Sequence, residues 1–257
     1  MDLLLHSKRV LVSGSTRGIG LAIAEAFLAE GAQVIITGRN REGLDRAQQK
    51  LTRQFPSAGV LGWACDFTDN TAVEGLRVKV AAAWQGLDVL VVNVGNGKGV
   101  SDPLPPDSHF EAVLQLNLAA AVRTAREFYP LLRASHGNII FIASIAGIEA
   151  IGAPVAYAAA KSALIALTNN VARKLGPEGV RVNCIAPGNI YCDGGSWAEK
   201  IQENPDAIQA MLDRAVPLRR FGRPEEVAAA VVFLASERSS FTTGACFVID
   251  GGQTLSI

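Results

Sequence analysis

With 257 residues, 49% of them hydrophobic, the chain is long enough to build one sizeable core, and its length suits a single α/β domain. Lys plus Arg and Asp plus Glu both number 24, so no overall field favours a nucleic acid or an anionic membrane, and neither is expected as a partner. No uncharged apolar run reaches membrane-spanning length, and the opening twelve residues lack the pattern of a signal peptide, so a soluble, cytoplasmic protein is expected.

Apolar runs of strand length alternate with longer stretches of helical period. The first strand is read at 9–12, followed by a glycine-rich turn and a helix over about 18–30 that Gly31 stops. A second strand at 33–37 leads through Gly38-Arg39-Asn40 to a polar helix over about 42–54. A strand at 60–64, a helix at 71–84 and a buried strand at 89–92 come next. A loop at 95–107, rich in Gly, Pro and Asp, precedes a long helix over about 110–133 and a strand at 138–142 ending at Ser144. Pro154 suits the first turn of a helix running to about Leu175, where Gly176-Pro177 ends it. The strand at 181–185 terminates in Pro187-Gly188, and a helix over about 225–235 leads to a last strand at 246–249.

Strict alternation up to about residue 187, with connections long enough for right-handed crossovers, predicts an α/β fold: a doubly wound parallel sheet with helices on both faces. With no linker, repeat or low-complexity segment, 1–257 is read as one domain, and the irregular stretch 189–223 as a lid. Cys65, Cys184, Cys192 and Cys246 lie far apart and form no C-x-x-C pair, so they are read as reduced, mostly packed thiols. His6, His109 and His136 lack metal-ligand spacing, and no metal is expected.

Ser13-Gly14-Ser15-Thr16-Arg17-Gly18-Ile19-Gly20 follows the first strand and opens the first helix, the context in which a glycine-rich loop is meaningful. Its glycines let the backbone approach a pyrophosphate, whose charge meets the free N–H groups of the helix. The end of the second strand, Thr37-Gly38-Arg39, offers no carboxylate for a ribose 2′-hydroxyl. Arg39, with Arg17, suits a 2′-phosphate instead, so NADP(H) is favoured over NAD(H); the alternative is two solvated surface arginines. Asp66, beside Phe67 at the tip of the third strand, either accepts from an adenine amino group or caps the helix beginning near Thr71.

Tyr157 and Lys161 stand four apart on a helix and so project from one face, an arrangement in which an ammonium favours the phenolate and lowers the phenol's pKa. Ser144, thirteen residues earlier, ends a strand where open α/β sheets place their ligands. The pair alone is close to chance. Taken with the glycine loop (Gly14, Gly18, Gly20), Ser144 and Asn117, it makes residues 8 to 252 resemble the compact single-domain branch of the short-chain dehydrogenase/reductase family, with its Rossmann fold.

The resemblance implies that Tyr157 is the general acid in reduction, that Ser144 orients the carbonyl, and that Lys161 binds the nicotinamide ribose while lowering the tyrosine pKa. It implies that Asn117 holds a water linking Lys161 to solvent. It assigns Asn93 and Gly95 to the family's Asn-Asn-Ala-Gly strand end, and Pro187, Gly188 and Ile190 to the loop that meets the nicotinamide carboxamide. Val92 and Val94 depart from the first motif, and Cys192 stands where a threonine often follows the second, which puts one usual cofactor contact in doubt.

The long helices near 110–133 and 154–175 carry small or apolar residues on more than one face, suggesting burial against a partner subunit. With the resemblance, a homotetramer is expected, a dimer being the fallback. The expected substrate is a small carbonyl compound or alcohol: a generic ketone, including a 3-oxoacyl thioester, or a sugar or polyol; a non-catalytic nicotinamide-binding sensor is the alternative from another class. Trp197 and Met211 either touch substrate or pack the lid down, and Arg214, Arg219 and Arg220 offer only a modest basic patch for a carrier protein.

Overall fold

The computed structural model describes residues 1–100 and 102–255. Ser101, within the loop read at 95–107, and residues 256–257, at the end of the span read as one domain, lie outside the described residues.

Seven short, apolar strands build one sheet: β1 (Arg9–Val12), β2 (Gln33–Gly38), β3 (Val60–Ala64), β4 (Val89–Val92), β5 (Asn138–Ile142), β6 (Arg181–Pro187) and β7 (Cys246–Ile249). Their order is β3-β2-β1-β4-β5-β6-β7, and every neighbouring pair is parallel. The chain runs outward from β1 to β3 and then returns to lay β4 on the other side of β1. At that reversal the crossovers leave to opposite faces, so a crevice opens beyond the carboxyl ends of β1 and β4.

Alternation along each strand supplies two cores. Val10 and Val12 face one layer with Val34, Ile36, Val89 and Val91, under α1 (Gly18–Ala29), α2 (Arg41–Gln54) and α9 (Pro224–Ala235). Leu11, Ile35, Leu90 and Phe141 face the other, under α3 (Asn70–Trp84), α5 (Ala120–Ser135) and α6 (Val155–Leu175). Because both faces are covered, these strands read as unbroken apolar runs rather than as polar-apolar alternation.

At the opposite end of the sheet, Arg9 and Asp88 lock β1 to the start of β4. Arg9 gives its Nε and its backbone N–H to Asp88 Oδ2, each at 2.8 Å, and Nη2 to Oδ1 at 2.9 Å; Nη1 donates to the Trp84 carbonyl at 2.9 Å.

Two stretches differ from the sequence reading. The long helix begins earlier, as α4 (Asp107–Leu114), and is interrupted by a π-helical turn at Gln115–Ala119 before α5 continues to Ser135. The stretch read as irregular contains two helices, α7 (Ser196–Glu203) and α8 (Pro205–Ala215), joined through Asn204, whose side chain accepts the Ala207 N–H at 3.0 Å and caps α8. Both ends of this segment meet in one small parallel bridge, Ile190 against Gly222, with Gly222 N–H donating to Asn189 and Tyr191 N–H donating to Gly222, each at 2.9 Å. No helix among the described residues is long and apolar enough to cross a membrane. The cysteines are free thiols, and Cys184 and Cys246, distant in sequence, stand opposite each other in the β6–β7 register.

Candidate active site

The glycine loop leaves β1 and is braced from three sides. Ser15, fully buried, gives its hydroxyl to the Val12 carbonyl at 2.7 Å and accepts the Thr37 N–H at 2.9 Å, while Gly14 N–H donates to Thr37 Oγ1 at 3.1 Å. Asn93 completes the brace from the end of β4: its amide donates to the carbonyls of Ser13 (3.2 Å) and Gly14 (3.0 Å), and its own N–H donates to Ser13 Oγ at 2.8 Å. The loop folds back so tightly that a Cβ on Gly20 would lie 2.4 Å from the Gly14 carbonyl oxygen and 2.6 Å from Asn93 Nδ2. Ser15 and Gly20 therefore shape the loop, with the Ser15 hydroxyl turned away from the crevice.

Arg17 gives the first turn of α1 no side-chain cap, so N–H groups there other than that of Ile19, which faces Cys192, are left for an anion. Cys192 lies against this turn: its Sγ would be 3.2 Å from a Cβ on Gly18. Burial pushes its thiol up, while the Ile19 N–H works in the opposite direction.

Gly14, Thr16, Arg17, Arg39, Asp66 and Phe67 line one cavity beside this loop, together with Leu116, which sequence reasoning missed. Arg17 Nη1 also donates to the Gly194 carbonyl, in the segment 189–223, at 3.1 Å. The Asp66 carboxyl is held below its ordinary range by the Thr68 hydroxyl first and the Thr68 N–H second, with a smaller pull from Arg39. The capping alternative for Asp66 is corrected here: Asp69 caps α3, accepting the Thr71 N–H at 2.9 Å. Three residues later in sequence, Asp69 is the carboxylate in register with the helix start.

A second cavity, of about 470 Å³, continues from the first through Asn93, Gly95 and Asn96, which line both. Its walls include Ser144, Tyr157, Lys161, Pro187, Gly188, Ile190 and Ile19, so expected residues from four separate strand ends meet in one space. β5 delivers Ser144, which caps the short turn Ile145–Gly147; Ser162 of α6 donates to the Gly147 carbonyl at 2.8 Å and fixes that turn on the helix. Lys161, 4% exposed, donates from Nζ to the Ile142 carbonyl at 2.8 Å and lies 5.7 Å from the centre of the Tyr157 ring.

The electrostatics correct one expectation. Burial raises the Tyr157 phenol above its ordinary pKa, with the neighbouring Ser144 hydroxyl working the other way, so the net direction is up rather than down. Burial also pushes Lys161 down to about 8. The low-dielectric pocket penalises both charges, and it outweighs any gain the phenolate takes from the lysine.

Asn117 stands beneath this cavity, 1% exposed, in the π-helical turn. Its Oδ1 accepts the Asn96 N–H at 3.0 Å and its Nδ2 donates to the Val113 carbonyl at 3.1 Å. Gly95 adopts φ +148°, and a Cβ there would stand 2.6 Å from Asn117 Oδ1 and 3.4 Å from Lys161 Nζ. Only a glycine lets the loop pass over these two polar groups.

Trp197 and Met211 both line the cavity and both also pack the 189–223 segment: the Trp197 ring centre lies 5.2 Å from that of Phe221, and Met211 Sδ accepts from Asn189 Nδ2 at 3.5 Å. Lys200, Gln253 and Ile151 line it too and were missed; for Gln253, its position just beyond the carboxyl end of the last strand was the available signal. Arg214 also faces this space, while Arg220 is bound to Glu226 at 2.7 Å, so the basic residues of 214–220 do not form one patch.

The donor set fits a dinucleotide: uncapped N–H groups at a phosphate-sized loop, two arginines at one end, and a continuous cavity reaching a phenol and an amine at the other.

Comparison with known proteins agrees with this geometry. A family model described as enoyl-(acyl carrier protein) reductase matches residues 14–254. The chain is 38% identical over 255 residues to an L-fucose dehydrogenase of Oryctolagus cuniculus, covering 96% of this chain and 85% of that protein. It is 36% identical over 248 residues to a 3-oxoacyl-(acyl-carrier-protein) reductase of Mycobacterium avium, covering 96% and 90%. Among solved structures, L-sorbose reductase of Gluconobacter frateurii, complexed with NADPH and L-sorbose, superposes over 100% of both chains with a TM-score of 0.93 and 32% identity.

Proposed function

Because this chain belongs to the short-chain dehydrogenase/reductase family of oxidoreductases, we propose that it interconverts a ketone and a secondary alcohol with NADP(H), and that Tyr157 carries the proton. The observation that carries this reading is the convergence of Ser144, Tyr157 and Lys161 on one cavity that continues to the glycine loop.

When bound, the nicotinamide supplies or accepts the hydride. In the reductive direction Tyr157 Oη gives its proton to the substrate oxygen; a phenol, ordinarily near pKa 10, carries that proton at neutral pH, and desolvation moves this half-buried one further up. Ser144 Oγ donates a hydrogen bond to the same oxygen. Lys161, held by the Ile142 carbonyl, places an ammonium where a nicotinamide ribose and the tyrosine meet. Asn117 anchors the loop after β4 through Asn96 and keeps a polar floor under Lys161, suited to a water that returns the proton. Gly14, Ser15, Thr16, Arg17, Gly18, Ile19 and Gly20 form the phosphate loop, and Asn93, Gly95, Pro187, Gly188 and Ile190 line the nicotinamide end.

Preference for NADPH rests on Arg39 and Arg17 beside a strand end without a carboxylate, and on the NADPH held by the superposable L-sorbose reductase. Similarity to an L-fucose dehydrogenase and an L-sorbose reductase favours a sugar or polyol as the second reading of the substrate, beside a 3-oxoacyl thioester. The segment 189–223 acts as the substrate lid. A homotetramer is the assembly proposed, supported by exposed apolar side chains at Val122, Val155, Phe241 and Val248, the last on edge strand β7. A cytoplasmic location is supported by four unpaired thiols.

The test is turnover of NADPH and NADH against simple ketones, ketosugars and 3-oxoacyl thioesters. Tyr157→Phe is expected to abolish oxidation of NADPH while leaving its binding nearly intact. Retained turnover removes the mechanism, and failure of the wild-type chain on the whole panel favours a non-catalytic nicotinamide sensor.

A further inference from the structure

The charged side chains that line the cavity at Tyr157 are all of one sign. Its walls contribute Lys161, Lys200 and Arg214, and among the described residues no Asp or Glu lines it. The chain as a whole is neutral, so this one-sign lining does not follow from a global excess of bases.

The three cations are placed differently. Lys161 is buried and hydrogen-bonded to a carbonyl, whereas Lys200 on α7 and Arg214 on α8 are exposed at the lid side of the cavity. Other basic residues nearby face acids: Lys98 reaches Glu199 at 3.8 Å, and Arg220 reaches Glu226 at 2.7 Å. Neither the Lys200 nor the Arg214 side chain has an ion pair or hydrogen bond among the described residues. Lys200 is nonetheless positioned, with its Nζ 4.7 Å from the centre of the Trp197 ring, a contact that orients an ammonium without neutralising it. Trp197, Met211 and Ile151 add apolar wall to the same cavity.

We propose that the substrate is an oxo acid or its hydroxy acid: a carbonyl carbon at Tyr157 and Ser144, a short apolar body against Trp197 and Met211, and a carboxylate received by Lys200 and Arg214. This deepens the oxidoreductase reading above and rests on it. The space of about 470 Å³ also has to admit a nicotinamide, so a small acid suffices to fill what remains. A phosphate of a thioester carrier is the other anion such cations attract, and the experiment separates the two.

With the full-length protein and saturating NADPH, kcat/KM is measured for 2-oxobutanoate, acetoacetate and 4-oxopentanoate, each beside its methyl ester. The best acid is expected to exceed its ester by about tenfold or more at low ionic strength, and the advantage shrinks as salt is added. Lys200→Gln and Arg214→Gln each reduce the acid-over-ester ratio toward unity, chiefly through KM for the acid, and the pair together removes it.

Turnover of esters and acids at equal efficiency overturns the proposal while leaving the oxidoreductase reading intact. Preference for acetoacetyl coenzyme A over the acetoacetyl thioester of N-acetylcysteamine, with no preference for the free acids, assigns the cations to a phosphate and also overturns it. Absence of turnover with every ketone, NADPH binding retained, overturns the oxidoreductase reading and this one with it.

Discussion

The Asn93 side-chain amide donates to the Gly14 carbonyl at 3.0 Å, so the glycine loop after β1 is held in shape by a residue at the end of β4. The same amide also reaches the Ser13 carbonyl, so two otherwise unpaired acceptors of the tight turn depend on one side chain. Asn93→Ala is expected to weaken NADPH binding by about tenfold and to lower stability by about 1–2 kcal/mol, the usual cost of leaving part-buried acceptors unmet. Titration of NADPH by fluorescence and urea unfolding check both effects. Unchanged affinity in a destabilised variant would mean that the loop keeps its shape without this brace.

Lys161 gives two opposite pH signatures. Burial pushes it down to about 8, so its ammonium is present at neutral pH and is lost as pH rises through that value. NADPH affinity for the chain is therefore expected to fall above about pH 8, because a cation facing an anionic ligand disappears. Stability of the cofactor-free chain moves the other way. Between about 8 and the ordinary lysine value near 10.4 the unfolded chain binds more protons than the folded one, so this group's contribution to stability rises with pH. Lys161→Met is expected to flatten both profiles, as read by NADPH titration and by urea unfolding across the alkaline range.

Arg39 tests cofactor choice. It shares its cavity with Arg17 and Asp66, and no carboxylate occupies the end of β2. Arg39→Asp replaces a partner for a 2′-phosphate with an acceptor for a 2′-hydroxyl, and the NADPH-over-NADH ratio in kcat/KM is expected to fall by about a hundredfold. A ratio that does not change would assign the selectivity to Arg17 alone or to neither arginine.

Asp88 sets an acid limit at the far end of the sheet. Burial raises the pKa of its carboxyl, but hydrogen bonds and charge from Arg9 outweigh this and hold it below the ordinary range. The stabilisation is complete above the unfolded value near 3.9 and is lost as pH falls through the lower folded value. Asp88→Asn is expected to cost about 2 kcal/mol at neutral pH, because Arg9 keeps its part-buried position without its partner. The gap to the wild-type chain closes below about pH 4, and chemical unfolding as a function of pH measures it.

Much of this architecture was legible in the sequence because the strands are covered on both faces. Runs such as Val89-Leu-Val-Val stand out against turn residues, and β1, β3, β4, β5 and β7 fall where the apolar runs lie. The order of strands was not legible beyond the doubly wound class, since it depends on which edge each crossover takes. The π-helical turn was hidden for a different reason: one extra residue within a helix leaves the apolar pattern around Asn117 nearly undisturbed. Helices α7 and α8 are short, eight and eleven residues, so each shows only two or three turns of an otherwise clear amphipathic pattern; Asn204 followed by Pro205 and Asp206 was the start signal within reach. At the cavity, the glycine loop was found through its place between strand and helix, and Ser144, Tyr157 and Lys161 through the family resemblance that the whole set carries. Lys200, Gln253 and Leu116 were not, because each acts from a place that only the folded chain defines.

The bridge between Ile190 and Gly222 gives the segment that carries α7 and α8 a narrow neck, with departure and return side by side. A segment attached this way is a cassette: residues between the two anchor points can be exchanged for others of different length, provided the new ends meet at the same gap. Grafting at this neck would therefore exchange one wall of the cavity while the sheet and the residues at its strand ends are inherited unaltered.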